Sequence, residues 1–386
     1  MQLIEVTDEK TRRDFLLVNV EMNRGNPEYI RPLDKDINLV FDKTKNKAFR
    51  HGEVTRWVLY ADNQEKIGRI AAFTNKKYKN KGDNMTVEGI GFFDCINDQG
   101  AADLLFDTAR EWLRARGAEA MDGPINFGER DRWWGLLIEG FMSPLYGMNY
   151  NPPYYETLFS NYGFQPFFYQ ECFAMKVKSQ LQKKFYDRHA AIFADPDYRA
   201  VHIRKNELAR FAADFTTVYN KAWSGHGGLK ELKKDVVHTM FKQMQPVMDE
   251  EIIWFVYYKD QPIAMWINIP DLNQWFRYLD GKFGLWSKLK FLWIKKFRRC
   301  TRFTGVAFGV VPEFQGKGVD TFMIVEGAKI IQTREGYEDY EMQWIGDFNP
   351  RMINIAQSLG TYRSRRLVTL RYIFDRNREF HRHPIL

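Results

Sequence analysis

Apolar and polar residues along this chain fall into short strand-length blocks separated by stretches with helical spacing. Leu3-Ile4-Glu5-Val6 reads as a strand and Asp8 to Met22 as a helix. Arg56 to Tyr60 and Ile67 to Phe73 read as a hairpin turning at Asp62-Asn63. Val87 to Phe93 is a further strand. Ala101 to Arg116 is a helix with apolar residues at 104, 105, 109, 112 and 113, stopped by Gly117. Met121 to Phe127 opens as a strand, Pro153 to Tyr162 is a helix with Gly163 after it, and Phe167 to Val177 closes the unit.

The order then repeats. His202-Ile203-Arg204 is a short strand, Leu208 to Trp223 a helix, and Ile252 to Tyr258 with Pro262 to Ile269 a second hairpin. Phe303 to Val311 is a strand, Val319 to Thr333 a helix, Tyr340 to Ile345 a strand, Pro350 to Leu359 a helix closed by Gly360, and Leu367 to Phe374 a last strand. Repetition on this scale predicts two tandem α/β domains with mixed sheets, not a solenoid, whose period is roughly 20–50 residues. The predicted units are 1–178 and 201–386, with the charged segment 179–200, which holds Asp195-Pro196, as linker.

Composition narrows the class. Hydrophobic residues at 45% and charged residues at 27% are those of an ordinary globular protein. Aromatics reach 16%, which predicts cores built from large side chains or, as the alternative, a wide apolar pocket. No apolar run approaches the ~18 residues that span a bilayer; the longest, Ile252 to Tyr258, is strand-sized. The start, Met1-Gln2-Leu3-Ile4-Glu5, lacks the basic and apolar regions of a signal peptide. Cys95, Cys172 and Cys300 lie far apart, which predicts a reducing cytoplasm and neither a disulfide framework nor a zinc site. His381 and His383 read as solvated tail, and no metal site is expected. The net charge is +8, and eight Lys/Arg with no acid lie between Lys282 and Arg302. One basic segment predicts a single anionic contact; a nucleic-acid surface would spread its charge more widely.

The chemistry-bearing stretch is Phe308-Gly309-Val310-Val311-Pro312-Glu313-Phe314-Gln315-Gly316-Lys317-Gly318-Val319-Asp320. A strand runs into a proline, a glycine-rich turn and a helix. Glycines permit close backbone approach, and free N–H groups at the helix start form an anion site suited to a pyrophosphate, with Lys317 adding a cation. The stretch resembles the pyrophosphate loop of the GNAT superfamily, Gln/Arg-x-x-Gly-x-Gly/Ala, with Gln315 and Gly318 in register and Asp320 where the family has Gly or Ala. The resemblance implies an acyl-CoA donor, acetyl-CoA or a longer thioester, held by Val310, Val311, Gln315, Gly316, Lys317, Gly318 and Val319. Trp344 to Pro350 and the helix after it resemble the family's fifth strand and fourth helix. Asn349 then fits a cofactor contact, while Ala356 stands where a tyrosine acid is common. Gly68-Arg69-Ile70-Ala71, Gly91 to Asp94, Gly123 to Phe127, Tyr150 to Tyr155 and Ile269 to Asn273 extend the resemblance to bacterial tandem GNAT proteins over almost the whole chain.

The first unit lacks the loop: Phe93 to Gly100 carries one glycine, two acids and no cation past the strand, the wrong sign for a pyrophosphate. The leading expectation is therefore N-acyl transfer from acyl-CoA to a small-molecule or peptide amine. A backbone N–H of strand 303–311 polarises the carbonyl, and a base takes the proton. The alternatives are an aminoacyl-tRNA-dependent transferase and a non-catalytic CoA-binding protein. By two-residue alternation Asp339, Glu341 and Gln343 share one strand face, so Glu341 is the candidate base, with a pKa raised by aromatic surroundings. Tyr362 and Tyr372 are candidate acids. Within 282–302, Leu285, Trp286, Leu289, Trp293 and Phe297 recur at helical spacing. They read as the packed side of an inserted helix whose basic side is solvated, or as part of a contact with an acyl carrier protein, a membrane surface or the 3′-phosphate of CoA.

Overall fold

The computed structural model describes residues 1–223 and 231–386. The first half runs β1 (Gln2–Glu5), α1 (Glu9–Met22), α2 (Asp34–Val40), β2 (Gly52–Tyr60), β3 (Lys66–Asn75), β4 (Val87–Cys95), α3 (Gln99–Arg114), β5 (Ala120–Gly123), β6 (Leu136–Glu139), α4 (Tyr155–Tyr162) and β7 (Gln165–Lys176). The second runs α5 (Lys183–Phe193), β8 (Tyr198–His202), α6 (Leu208–Trp223), α7 (Lys234–Met244), β9 (Trp254–Tyr258), β10 (Gln261–Pro270), α8 (Asn273–Phe276) and α9 (Leu285–Phe297). It ends with β11 (Arg302–Val310), α10 (Val319–Ile331), β12 (Asp339–Met342), β13 (Ile345–Gly346), α11 (Pro350–Ser358) and β14 (Tyr362–Ile373).

Local chemistry sets the boundaries. Asp8 accepts from Thr11 N at 2.8 Å and closes a capping box at the start of α1. Gly163, at φ +106°, ends α4 in the left-handed region that a side chain resists. The segment expected as linker is instead ordered. It forms α5 and the start of β8, because Phe185, His189 and Ile192 share a helical face that is buried. His189 meets Glu326 of α10 at 2.6 Å, fixing α5 beside the glycine loop.

The strands form one mixed sheet in the order β1-β2-β3-β4-β5-β14-β7-β12-β11-β10-β9-β8. Each half builds the same ladder and then yields its last strand to the other. β14 pairs with β5 (Leu370↔Gly123), β7 pairs with β12 (Tyr340↔Met175), and β7 and β14 pair with each other antiparallel (Val368↔Tyr169). Buried ion pairs hold the exchange. Arg371 of β14 meets Asp122 of β5 at 2.6 Å, and Arg365 of β14 meets Glu341 of β12 at 2.6 Å. Partner removal leaves a buried charge uncompensated, so these pairs penalise separation of the halves.

Candidate functional site

Among the described residues, β11 and β12 are the only parallel neighbours in the second half. They pair from Arg302↔Asp339 to Gly305↔Met342 and then splay, because the ladder of β11 is interrupted. Opposite β10 its register steps from Ala307↔Ile267 to Gly305↔Asn268, leaving Val306 as the extra residue of a β-bulge. Val311 N donates to Ile263 O at 2.9 Å; by ladder alternation the N–H groups of Phe308 and Val310 then turn toward the gap. Gly305 lies at the apex, where a Cβ would come within 2.4 Å of the Tyr340 hydroxyl.

The gap opens into a cavity of about 560 Å³. Its walls include Phe303 and Phe308 of β11, Ile324 and Ala328 of α10, Met352 of α11, and Met175 of β7, lent by the first half. None of the described residues that line it carries a charge at neutral pH. Its phenols are Tyr219 and Tyr340. Burial raises both pKa values, for Tyr219 reinforced by Glu129 and for Tyr340 opposed by a hydrogen bond from Trp266, so both stay protonated at neutral pH. Trp266 Nε1 donates to the Tyr340 oxygen at 3.2 Å, which leaves the Tyr340 O–H proton available for donation elsewhere.

The glycine loop joins the strand and helix that bound this cavity. Gly316 has φ +74° and Gly318 φ +83°; Gly318 is the N-cap of α10, with no side-chain cap. The first-turn N–H groups of α10 are thus left for an anion. Lys317 is exposed, with its ammonium 5.2 Å from the Phe314 ring centroid. The first half shows the contrast. There Asp98 accepts from Ala101 N at 2.7 Å, so a carboxylate already occupies the N-terminus of α3. Ile125 N continues the pairing to Ile90 O at 2.7 Å, and the cavity beside those strands shrinks to about 40 Å³.

No family model matches the chain. It is 24% identical over 371 residues to a bacterial ceramide synthase of Caulobacter vibrioides, covering 93% of this chain and 94% of that one. It is also 24% identical over 357 residues to protein YghO of Escherichia coli, covering 90% and 88%. Among solved structures, a tandem GNAT protein from the clavulanic acid biosynthesis pathway superposes with a TM-score of 0.53 at 10% identity, over 96% of this chain and 98% of that one. The chain has a tandem GNAT fold. A glucosamine N-acetyltransferase region in a fungal multi-domain β-N-acetylglucosaminidase gives a TM-score of 0.54 at 12% identity; 96% of this chain is covered, but it spans only 38% of that protein.

Within the tandem GNAT frame the expected residues separate into two groups. Gln315 donates to Val310 O at 3.0 Å and braces the loop; Val311 and Val319 are buried at its two ends. Asn349 lines the cavity while its side chain accepts from Met352 N at 3.2 Å, capping α11. Gly316, Lys317 and Gly318 complete the loop, and Asn349 belongs to the cavity wall.

The expected catalytic residues do not join them. Glu341 is 1% exposed and accepts from Arg365, Arg302 and Ser364. Burial alone would raise its pKa, but Arg365 and then Arg302 outweigh burial and hold the carboxyl below its usual range. A raised-pKa base was the expectation; the structure gives an ion-pair anchor. Tyr362 is exposed at the start of β14, and Tyr372 packs, with its ring tilted, against Tyr162 and Phe164 in the core of the first half. Neither lines the cavity. The alternation was read correctly, but the face of β12 that lines the cavity is the other one, carrying Tyr340.

Sequence inspection also missed Arg188, because it sits in the segment taken as linker. A Cβ at Gly318 would lie 3.9 Å from Arg188 Cβ, so α5 brings this second cation beside the loop. Segment 146–155 packs between the halves, where Tyr146 meets Phe276 of α8 with ring centroids 5.4 Å apart.

Proposed function

We propose that the chain is an N-acyltransferase that moves a long acyl chain from a coenzyme A thioester to the amine of a lipid-like acceptor. The observation that carries this is the uncharged cavity of about 560 Å³ bounded by the strand and helix that flank the glycine loop. An acetyl group would leave most of such a volume unfilled, whereas an extended alkyl chain matches its walls. The relative named as a ceramide synthase supports the same class, since a ceramide is the amide of a fatty acid with a long-chain amino alcohol. The three cysteines are buried and free, which suits a reducing cytoplasm.

In this reaction the amine nitrogen attacks the thioester carbonyl, a C–N bond forms and the C–S bond breaks. The amine loses one proton and the leaving thiolate gains one. Backbone N–H groups of β11 at Phe308 and Val310 face the developing oxyanion. With no carboxylate on the cavity wall, the amine enters in its neutral form. The Tyr340 phenol donates to the thiolate and recovers a proton from the nitrogen. Tyr340→Phe should lower kcat on the order of 10²-fold with donor affinity unchanged; Tyr219→Phe is the control for the cavity's other phenol.

Activity with a donor series decides the chain length. CoA release with a long-chain amino alcohol should be far faster from a hexadecanoyl than from an acetyl thioester. Turnover confined to acetyl-CoA would refute the long-chain reading. At the loop, Lys317→Glu with Arg188→Glu should weaken CoA binding roughly tenfold or more in calorimetry at low salt. The melting temperature should hold, since Lys317 and Arg188 are both exposed.

A further inference from the structure

Helix α9 turns most of its apolar residues outward. Leu285, Trp286, Leu289, Trp293 and Phe297, which read either as the packed side of the helix or as part of an outside contact, are 73, 81, 52, 61 and 62% exposed. The buried face is the narrow pair Phe291 and Ile294, which lean on Trp275, Phe276 and Phe283. At 100° per residue the five exposed groups, with Leu292 at 55%, cover an arc of about 140° on the opposite side. Lys290 borders one edge of that arc, and Lys288 and Lys295 the other. Lys296 falls within the arc, Lys282, Arg298 and Arg299 add further charge, and no acid lies between Lys282 and Arg302.

We infer that α9 is an interfacial anchor that docks the protein on an anionic phospholipid surface, lying in the headgroup layer with Trp286, Leu289 and Trp293 in the acyl boundary. A protein interface would deplete lysine and tend to one flat apolar core. A broad Trp/Leu/Phe face edged by lysines fits the border between hydrocarbon and anionic headgroups. No helix among the described residues is long and apolar enough to cross a membrane, so α9 lies on the surface and does not span it. The inference does not depend on the acyl-transfer reading. It places a lipid surface close, in sequence, to β11, whose Phe303 lines the cavity just after the helix.

The test is co-sedimentation of the full chain with phosphatidylcholine vesicles, with and without about one-third phosphatidylglycerol. Wild type should pellet with the anionic vesicles and weakly with the neutral ones. Trp286→Ser/Leu289→Ser/Trp293→Ser should bind roughly tenfold more weakly or not at all, with unchanged melting because these groups are exposed. Lys288→Glu/Lys296→Glu/Arg299→Glu should lose the preference for anionic vesicles. Brominated phospholipid should quench wild-type fluorescence more than that of Trp286→Phe/Trp293→Phe. Failure of wild type to pellet, equal binding by the serine variant, or a wild-type dimer that the serine variant breaks without any vesicle binding would each overturn the proposal.

Discussion

Ala328→Phe should divide donor specificity by chain length. Ala328 stands on α10 facing the cavity, half-buried, with open volume before it, so a phenyl ring enters the void and spares the core. The ring occupies space that the distal part of an acyl chain would take. Each methylene kept from an apolar wall loses about 0.8 kcal/mol. Exclusion of four costs about 3 kcal/mol, on the order of 10²-fold in kcat/KM. A hexadecanoyl donor should therefore suffer a loss of that order, while a donor of two to four carbons stays within a few-fold. The measurement is kcat/KM over a series of acyl-CoA lengths with one acceptor. Equal losses at every length would place the cavity outside the acyl path.

The two-fold repeat, the glycine loop and the lost loop of the first half were all legible in the residues, because each is local. A proline, two glycines and a lysine between a strand and a helix read as an anion site without reference to anything distant. The contrast between Gly318 and Asp98 as helix caps carries the asymmetry of the halves. Periodicity likewise separated Glu341 from Tyr340 on β12. What periodicity could not say is what each face meets. The partner of Glu341 is Arg365, on a strand that crosses into the other half's sheet, and nothing near either residue in sequence announces that exchange.

Helix α9 stayed open for a related reason. Helical spacing groups Leu285, Trp286, Leu289, Trp293 and Phe297 but does not say whether they meet the domain or an outside partner. Two apolar arcs exist, and the smaller one, Phe291 and Ile294, is buried because α8 and Phe283 offer only a narrow aromatic seat. Arg188 was invisible for the opposite reason: a charged stretch with Asp-Pro near its end looks like linker, yet its buried face of Phe185, His189 and Ile192 seats it on α10.

Glu341→Gln should destabilise the protein strongly while sparing chemistry. The carboxylate is the shared anion of Arg365, which is fully buried, and Arg302, with Nε–Oε1 of 2.6 Å and Nη1–Oε2 of 3.2 Å. Asp271 also pairs with Arg302 at 2.7 Å, but among the described residues Arg365 has no second ion pair, only the carbonyls of Met142 and Ser143 and the weaker field of Glu28. Removal of one partner of a buried pair costs about 3–5 kcal/mol; a glutamine that still accepts a hydrogen bond should fall near the lower end. The melting temperature should drop by several degrees, and limited proteolysis should open the β7–β14 seam first. The pH dependence has a definite sign. The folded carboxyl titrates below its usual range, so its contribution to stability is complete above about pH 4.3 and is lost as pH falls through the lowered folded pKa. Wild type should therefore lose stability on acidification in that window more steeply than Glu341→Gln, which has no proton to take up there. Measured well below its melting temperature, the variant should keep donor affinity and turnover. Loss of turnover in a fully folded variant would instead return Glu341 to the reaction itself.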